Sequence, residues 1–336
     1  MKQNAFLICP MDDAQTGHYI HDTLVAMDYG VAFFDPRQAM KELGTVEKMN
    51  QMLVTVYEQL KPDITFLIKG TEIFAETIKK CKEKHTAPIV GWIFDVTLGG
   101  QLVQDTPQYV SLLKELDIFY TIDDDAIEPL KKLGVNAQWL TEGCFPPEHE
   151  EVVLNSIQKK KYSADVVFLG SVGGVHPTRS KLLQRLHDEG IDFKLYGEVY
   201  YPENGEPEFV KDHHTGLAAI NDYHSIICES AKIVIGIDGW PERSKSWSAR
   251  LYRTLCAGGF YLTTATKGLE TEFIPGVHLD TFKDEDEMMS KILYYLTDGE
   301  EKRQEIALAG QKLVLEKHTF RDRITQMEKN LETLKK

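Results

Sequence analysis

The stretch Asp165-Val-Val-Phe-Leu-Gly-Ser-Val-Gly-Gly174 decides the fold that the sequence predicts. A short apolar run, from Val166 to Leu169, leads into a glycine-rich turn, and Arg179 follows in a predicted helix. A strand, a turn and a helix in this order are typical of a βαβ unit on a parallel sheet. Because glycine lets the backbone approach a ligand and the next helix start offers N–H groups, the turn suits a phosphate. Glycines after a strand are also ordinary turn residues, and both interpretations stay open at this point.

The same alternation of short apolar runs and helical segments extends along the whole chain. β-branched and aromatic runs separated by helices predict parallel strands. Helices lie between them, notably in Val46–Leu60, Arg179–His187 and Met288–Leu296. The predicted strands are Ala5–Cys9, Val31–Phe34, Ile64–Ile68, Ile89–Phe94, Ile118–Ile122, Ala137–Leu140, Asp165–Leu169, Phe193–Tyr196, Lys232–Ile237, Gly259–Thr263 and Val277–Leu279.

The alternation pauses between residues 143 and 161, which predicts a domain boundary. Gly143–Pro147 is rich in turn residues and Glu148–Lys161 is polar, as expected of a linker. One domain is predicted over residues 1–150 and a second over residues 160–318. The predicted fold class is α/β, with two doubly wound parallel sheets whose ligands bind at the carboxyl ends of the strands.

Composition and charge narrow the classes of function. The 336 residues carry a net charge of −14, which disfavours a nucleic-acid coat or an anionic membrane surface as partner. No apolar run is long enough for a signal peptide or a membrane span. The five cysteines are scattered without a CxxC pair, which indicates reduced thiols. We therefore expect a cytoplasmic protein.

One basic segment, Arg243-Ser-Lys-Ser-Trp-Ser-Ala-Arg-Leu-Tyr-Arg253, stands out in this acidic chain. Ser248 is a candidate N-cap, after which Arg250 and Arg253 share one face of a predicted helix. A diphosphate at that helix start would gain from the helix dipole and from forked guanidinium donors. A solvated basic face is the alternative, but the Gly258-Gly259 pair and the apolar strand after it favour a site.

Two further residues follow strands of the N-terminal half. Asp95 ends the run Gly91-Trp-Ile-Phe-Asp95, where its carboxylate could accept a proton from an acceptor hydroxyl. His18 follows the first strand and is a second catalytic candidate. A loop-capping aspartate and a structural histidine are the ordinary alternatives.

Other catalytic and metal-binding motifs do not occur. The sequence has no HExxH, no Walker A and no GxSxG motif. His213 and His214 have no cysteine or carboxylate at metal-ligand spacing. The sequence therefore predicts no metal and no cofactor.

With these segments identified, the chain resembles the CgeB-like (spore maturation protein) branch of the group 1 glycosyltransferases. The C-terminal half is the more similar, and Ser248–Thr263 resembles the family's Arg-x-Phe-Glu-x-x-Ala-x-Gly signature with the strand after it. The other similar stretches are Asp165–Ser171 with Arg179, Lys232–Asp238, Lys267–Glu270, Phe273–Gly276, Tyr294–Gly310, Lys61–Ile64, Gly91–Asp95 and Leu140–Pro147.

The resemblance implies a GT-B fold, in which two Rossmann-like domains face each other across a cleft. It implies a nucleotide-diphosphate sugar as donor, with a UDP-sugar expected most, and no metal requirement. It also implies that the closing helix, about residues 319–336, packs back on the N-terminal domain. The implied donor-site residues are Gly170, Ser171, Arg179, Tyr196, Gly197, Lys245, Ser248, Arg250, Arg253, Gly258 and Glu270.

The sequence departs from the wider group at two positions. Many relatives carry a Glu-x7-Glu pair whose second member binds the ribose, and Lys245 and Arg253 stand at these positions here. Two added positive charges favour contact with the diphosphate instead.

Two other functions stay open. The same architecture serves a nucleotide-sugar epimerase or hydrolase, because a fold does not determine chemistry. The missing glutamate pair also allows a non-catalytic protein that binds sugar nucleotides. The acceptor of the preferred glycosyltransferase is a hydroxyl on a glycan, a protein or another molecule, with nucleic acid disfavoured by the charge.

Overall fold

Short β-branched and aromatic runs form two parallel sheets, as the alternation predicts. The structure is a computed structural model that describes residues 3–11, 16–95, 106–150, 152–174, 177–201, 205–220 and 222–334. It divides into two compact units, the first made of Met1–Glu142 and Phe320–Lys336 and the second of Gly143–Thr319. In the part of the chain that is described, no helix has the length and apolar content needed to cross a membrane.

The first unit contains a six-stranded parallel sheet in the order β2-β1-β3-β4-β5-β6. β3 and β4 are buried along their whole length, because helices cover both faces of such a sheet. The strands are β1 (Asn4–Ile8), β2 (Gly30–Phe34), β3 (Ile64–Ile68), β4 (Ile89–Ile93), β5 (Ile118–Thr121) and β6 (Ala137–Trp139). The helices are α1 (Thr16–Ala26), α2 (Pro36–Leu43), α3 (Val46–Leu60), α4 (Ala75–Lys84), α5 (Pro107–Leu113) and α6 (Ile127–Lys132).

The second unit contains a five-stranded parallel sheet in the order β13-β12-β11-β7-β9, and β8 pairs separately with β10. Its strands are β7 (Ala164–Leu169), β8 (Val172–Gly173), β9 (Phe193–Tyr196), β10 (Val199–Tyr200), β11 (Ala231–Gly236), β12 (Tyr261–Thr264) and β13 (Asp280–Phe282). Its helices are α7 (Pro146–His149), α8 (Ser156–Tyr162), α9 (Pro177–Asp188), α10 (Glu208–His213), α11 (Asp222–Ser230), α12 (Arg250–Cys256), α13 (Glu285–Leu296) and α14 (Glu300–Lys317).

The last helix, α15 (Phe320–Leu334), belongs to the first unit although it follows the second in sequence. The Phe320 ring lies 6.0 Å from the ring of Tyr19 in α1. Arg323 is buried, and its Nε donates to the carbonyl oxygen of Glu142 at 3.0 Å. Asn330 donates to the hydroxyl of Tyr120 in β5 at 2.9 Å. Apolar packing and buried hydrogen bonds therefore attach α15 to this unit.

The boundary between the units differs from the predicted one. Residues 143–150, expected in the first domain, lie in the second unit, where Cys144 N donates to His318 O. The predicted linker Glu148–Lys161 contains α8, which begins with a complete capping box formed by Asn155 and Gln158. The polar composition suggested a linker, but these capping hydrogen bonds make the segment a helix of the folded unit.

One predicted strand, Val277–Leu279, is wrong. The strand is Asp280–Phe282, because Gly276 has φ of 77° and its N–H donates to Leu279 O at 2.7 Å, which closes a tight turn over the predicted residues. The strand starts with a buried aspartate, and Asp280 accepts a hydrogen bond from the Tyr295 hydroxyl at 2.8 Å. A buried carboxylate breaks the apolar pattern by which strands are predicted.

Candidate functional site

Two glycine turns meet at the carboxyl ends of β7 and β9. Gly170 has φ of 153° and Gly197 φ of 128°, and both values lie where side chains are rarely tolerated. The N–H of Gly170 donates to Tyr196 O at 2.8 Å. A Cβ atom on Gly197 would lie 2.5 Å from the carbonyl oxygen of Gly170. Glycine is therefore required at both positions, and the structure brings the predicted residues Gly170, Tyr196 and Gly197 together.

The guanidinium group of Arg250 lies directly against this turn. A Cβ atom on Gly170 would be 2.6 Å from Nη2 of Arg250, and the guanidinium carbon stands 5.1 Å from the centre of the Phe168 ring. Nη1 of Arg250 is buried and donates to no acceptor within the described part of the chain. A buried guanidinium donor without an acceptor is costly, so this group is ready to bind an anionic ligand.

Arg179 fastens the glycine turn to the neighbouring strand. Its Nε donates to Ile237 O at 3.0 Å, and its Nη1 donates to the carbonyl oxygen and the hydroxyl of Ser171 at 3.0 and 3.1 Å. Burial, with a smaller contribution from Arg250, lowers the pKa of Arg179 to about 10. Since three of its bonds go to protein oxygens, Arg179 positions Ser171 and the turn.

Asp238 is a buried carboxylate next to these arginines, and it was not predicted from the sequence to be a site residue. Its Oδ1 accepts from the N–H of Ser248 at 3.2 Å, and its own N–H donates to Thr264 Oγ1 at 3.2 Å. Burial raises its pKa, while Arg250 and Arg179 act in the opposite direction. Two arginines share this single carboxylate, so the cluster has an excess of positive charge. The sequence held one sign of this role, because Asp238 is an acidic residue just past the end of an apolar predicted strand.

The start of α12 differs from the prediction at one residue. Ser248 was expected to cap the helix, but the cap position is Ala249, which makes no side-chain hydrogen bond. Ala249 already has helical angles, with φ of −51° and ψ of −23°, so the extended backbone of an N-cap is missing. The Ser248 hydroxyl still accepts from the N–H of Arg250 at 3.3 Å. Ser248 therefore contacts both Arg250 and Asp238.

Lys245 lies against the turn that carries Glu270. Its N–H donates to Lys267 O at 2.7 Å, and a Cβ atom on Gly268 would be 2.6 Å from its Cγ. Lys245 has φ of 50°, a left-handed conformation that is unfavourable for lysine. Glu270 is exposed in a short 3-10 turn that begins after Gly268. The structure therefore joins Lys245 and Glu270 in one loop cluster.

Arg253 and Gly258 lie further along the chain than Arg250, which begins α12. Burial lowers the pKa of His149 and His224, and Arg253 lies close enough to add to the effect on both. Gly258 ends α12 with φ of 74°, and a Cβ atom there would be 3.2 Å from Nε2 of Gln311. Gly258 is thus at the opposite end of α12 from Arg250. No described contact joins it to the glycine turns.

A cavity of about 650 Å³ opens at the carboxyl ends of β12 and β13. Thr264, whose hydroxyl accepts from the N–H of Asp238, lines it, so the cavity adjoins the arginine cluster. This volume is in the range of small-molecule sites. The lining residues are Thr178, Lys181, Leu182, Pro241, Glu242, Thr264, Ala265, Phe282, Lys283, Asp284 and Glu285.

Asp95 and His18 lie at the carboxyl edge of the sheet of the first unit. Asp95 follows β4, and its Oδ2 is 3.7 Å from Nζ of Lys69, the residue after β3. His18 is in the first turn of α1, where its Nε2 lies 2.6 Å from Met11 O. The described contacts pair Asp95 with Lys69, a lysine that was not predicted from the sequence to be a site residue.

Sequence and structure comparisons identify similar proteins. Residues 179–329, just under half of the chain, match the family model described as glycosyl transferase-like. No curated protein matches the sequence significantly. Among the described residues, no group of three or more histidine, cysteine or acidic side chains is arranged to bind a metal.

Several solved structures share the fold at low identity. Sucrose-phosphate synthase from Thermosynechococcus elongatus has a TM-score of 0.70 at 11% identity, over 99% of this chain and 100% of that chain. HepE from Anabaena in complex with UDP has a TM-score of 0.65 at 10% identity, over 98% and 100%. A putative UDP-N-acetylglucosamine 2-epimerase from Listeria monocytogenes has a TM-score of 0.50 at 10% identity, over 93% and 92%.

The two parallel α/β units and these likenesses establish the GT-B fold and confirm the predicted fold class. With this fold, the family match supports an enzyme of the group 1 glycosyltransferase type.

Proposed function

We propose that the protein, a member of the CgeB-like branch, transfers a sugar from a nucleoside-diphosphate sugar to a hydroxyl group of an acceptor. The guanidinium group of Arg250 carries this proposal, because its Nη2 lies against the glycine turn and its buried Nη1 donates to no acceptor in the described part of the chain. A diphosphate supplies the oxygens that such a donor requires. The binding of UDP by HepE, which shares the fold, supports uridine as the base.

The positive cluster of the second unit binds and stabilises the diphosphate. Arg250 donates to it directly, and the turn at Gly170 lets the ligand approach the backbone. Arg179 and Asp238 hold the turn and the start of α12 in place. Because arginine charge stabilises the leaving diphosphate, the proposed mechanism needs no metal. Full activity in EDTA supports this, whereas activity lost in EDTA and restored by manganese contradicts it.

Asp95 serves the acceptor in the first unit. The acceptor oxygen attacks the anomeric carbon of the donor, and the bond from that carbon to the diphosphate breaks. The bonding electrons leave with the diphosphate, and Asp95 accepts the proton of the hydroxyl group. His18 stays a second candidate for this proton, with its Nε2 beside Met11 O.

An epimerase is the second candidate, because a putative 2-epimerase shares the fold. Incubation with UDP-N-acetylglucosamine alone distinguishes the two functions. An epimerase converts the sugar while it stays attached to UDP, or releases the epimer. A glycosyltransferase leaves the sugar configuration unchanged when no acceptor is present.

Isothermal titration with UDP, GDP, ADP and uridine tests the donor site. We expect one nucleoside diphosphate to bind at micromolar concentration and the nucleoside alone to bind much more weakly. If no nucleoside diphosphate binds at millimolar concentration, the proposal is wrong.

A further inference from the structure

Lys69 has a backbone conformation that its residue type does not favour. It stands at the carboxyl end of β3 with φ of 63°, in the left-handed region where glycine and asparagine are the usual residues. Its N–H donates to Trp92 O at 2.9 Å, and its carbonyl accepts from the buried hydroxyl of Tyr109 at 2.6 Å. These two bonds impose the conformation, so the backbone would be served better by glycine.

The side chain of Lys69 therefore needs its own explanation. Its Nζ is 3.7 Å from Oδ2 of Asp95, and about a third of the side chain is exposed. The ammonium has three N–H donors, and Asp95 is its one acidic partner among the described residues. At least one donor stays available beside the carboxylate. Strain at such positions is typical of functional sites.

Lys61 also has a left-handed backbone conformation, and in this residue the conformation has an ordinary cause. It ends α3 with φ of 47°, and its N–H donates to Tyr57 O at 3.0 Å, which is a common way to close a helix. Its side chain is exposed. The conformation of Lys61 follows from helix closure, whereas that of Lys69 places an ammonium beside Asp95.

We propose that Lys69 and Asp95 together bind the hydroxyl group of the acceptor. Asp95 accepts the hydrogen of that hydroxyl, and Lys69 donates a hydrogen bond to its oxygen. The pair is neutral overall, so it selects an uncharged polyhydroxy compound, such as a carbohydrate, over an anion. This proposal rests on the proposed function, because it assigns the acceptor side of the same reaction.

The test compares Lys69→Gly with Lys61→Gly. Both variants replace a left-handed lysine by glycine, so neither should melt at a lower temperature than the wild type. The probe is hydrolysis of UDP-glucose, UDP-galactose and UDP-N-acetylglucosamine without acceptor, in which water takes the place of the acceptor hydroxyl. We expect Lys69→Gly to lower kcat at least tenfold with an unchanged KM for the sugar nucleotide. Lys61→Gly should retain the wild-type values, and Lys69→Arg should recover part of kcat.

Each other result has a defined meaning. Wild-type kcat in Lys69→Gly contradicts the proposal, and so does a lowered melting temperature that accompanies the loss. UDP binding by a wild type that hydrolyses none of the three donors also counts against a hydroxyl site at Lys69. Absence of UDP binding to the wild type contradicts the proposed function itself, which separates the two failures.

Discussion

The carboxyl edges of the two sheets differ in how their charges are balanced. In the second unit, buried Arg179 and the half-buried Arg250 share one carboxylate, that of Asp238. In the first unit, Lys69 and Asp95 form one half-exposed ion pair. An excess of buried positive charge suits an anion, whereas a neutral pair suits hydroxyl groups. The difference agrees with the proposed function, in which the second unit binds the diphosphate and the first unit binds the hydroxyl group.

The two edges also use left-handed backbone differently. Gly170 and Gly197 permit close packing, because any Cβ there would collide with Arg250 or with backbone. Lys69 adopts positive φ while it keeps a long side chain. At the second edge, positive φ therefore lets the arginine and the backbone pack closely, whereas at the first edge it occurs at a residue that carries an ammonium group.

The largest expected effect is that of Arg250→Ala on nucleoside-diphosphate binding. Loss of a charge-assisted hydrogen bond costs about 1.5–3 kcal/mol, which is roughly a tenfold to hundredfold loss of affinity. Isothermal titration with UDP measures it. Arg321→Ala, which removes an exposed arginine of α15, is the matched control and should bind UDP like the wild type. An equal loss of UDP affinity in Lys69→Met would contradict the assignment of the anion to the second unit alone.

The second unit should also lose stability in mild acid. Burial is the main cause that lowers the pKa of His224 to about 3 and of His149 to about 2, with Arg253 adding to the effect. Below pH 6.5 the unfolded chain protonates these histidines and the folded chain does not, so the stability present above pH 6.5 is lost as the pH falls. Between pH 7 and pH 5 each histidine costs about 2 kcal/mol.

Urea unfolding of the wild type and of His224→Gln at these two pH values measures this effect. The variant should show a smaller difference between pH 7 and pH 5. His21→Gln, at a partly exposed histidine of α1, is the control. Equal pH dependence in all three proteins would mean that His224 is not held neutral.

Salt should weaken the binding of the two substrates to different extents. Raising the salt concentration from 0.05 to 0.5 M should lower UDP affinity roughly threefold, because counter-ions screen the arginine cluster. Binding of an uncharged acceptor to a neutral ion pair should change less. Isothermal titrations of both ligands across this range of salt concentration test the prediction. Equal salt dependence of the two affinities would contradict the difference in charge balance proposed for the two sheet edges.

The smallest effect is expected for Arg253→Ala. This arginine is close enough to His149 and His224 to contribute to their lowered pKa, so we expect it to act mainly on these histidines and UDP affinity to change by less than about twofold. The substitution should change the melting temperature at pH 5 measurably, although it changes the affinity for UDP little. A loss of affinity as large as that of Arg250→Ala would show that both arginines bind the diphosphate.

Local patterns allowed much of the fold and part of the site to be predicted from the sequence. The strand Asp165–Leu169 and its glycine turn depend on neighbouring residues, so periodicity and residue type were sufficient. α3 has the predicted bounds for the same reason. The capping box of α8 was also readable, since Asn155 and Gln158 stand three residues apart. Its helix was nevertheless predicted to be a linker because of its polarity.

Contacts between distant segments could not be predicted in this way. Arg250 and Arg253 share a helix face, and only the packing of α7 and α11 shows that Arg253 lies near two histidines. The role of Asp238 depends on Arg179, 59 positions away, and on α12. Lys69 was overlooked because positive φ at a lysine has no sequence signature. Site residues are therefore harder to predict from the sequence than strands are, because they depend on contacts between distant segments.

The return of α15 to the first unit has a consequence for synthesis on the ribosome. A nascent chain emerges from its N-terminus, and domains generally fold in that order. Here the first unit lacks α15 until residues 320–334 have emerged, and it lacks with them the hydrogen bonds of Arg323 and Asn330. The second unit is continuous in sequence and is complete by residue 319. The first unit, although it is synthesised first, can therefore complete its fold only after the second unit has emerged.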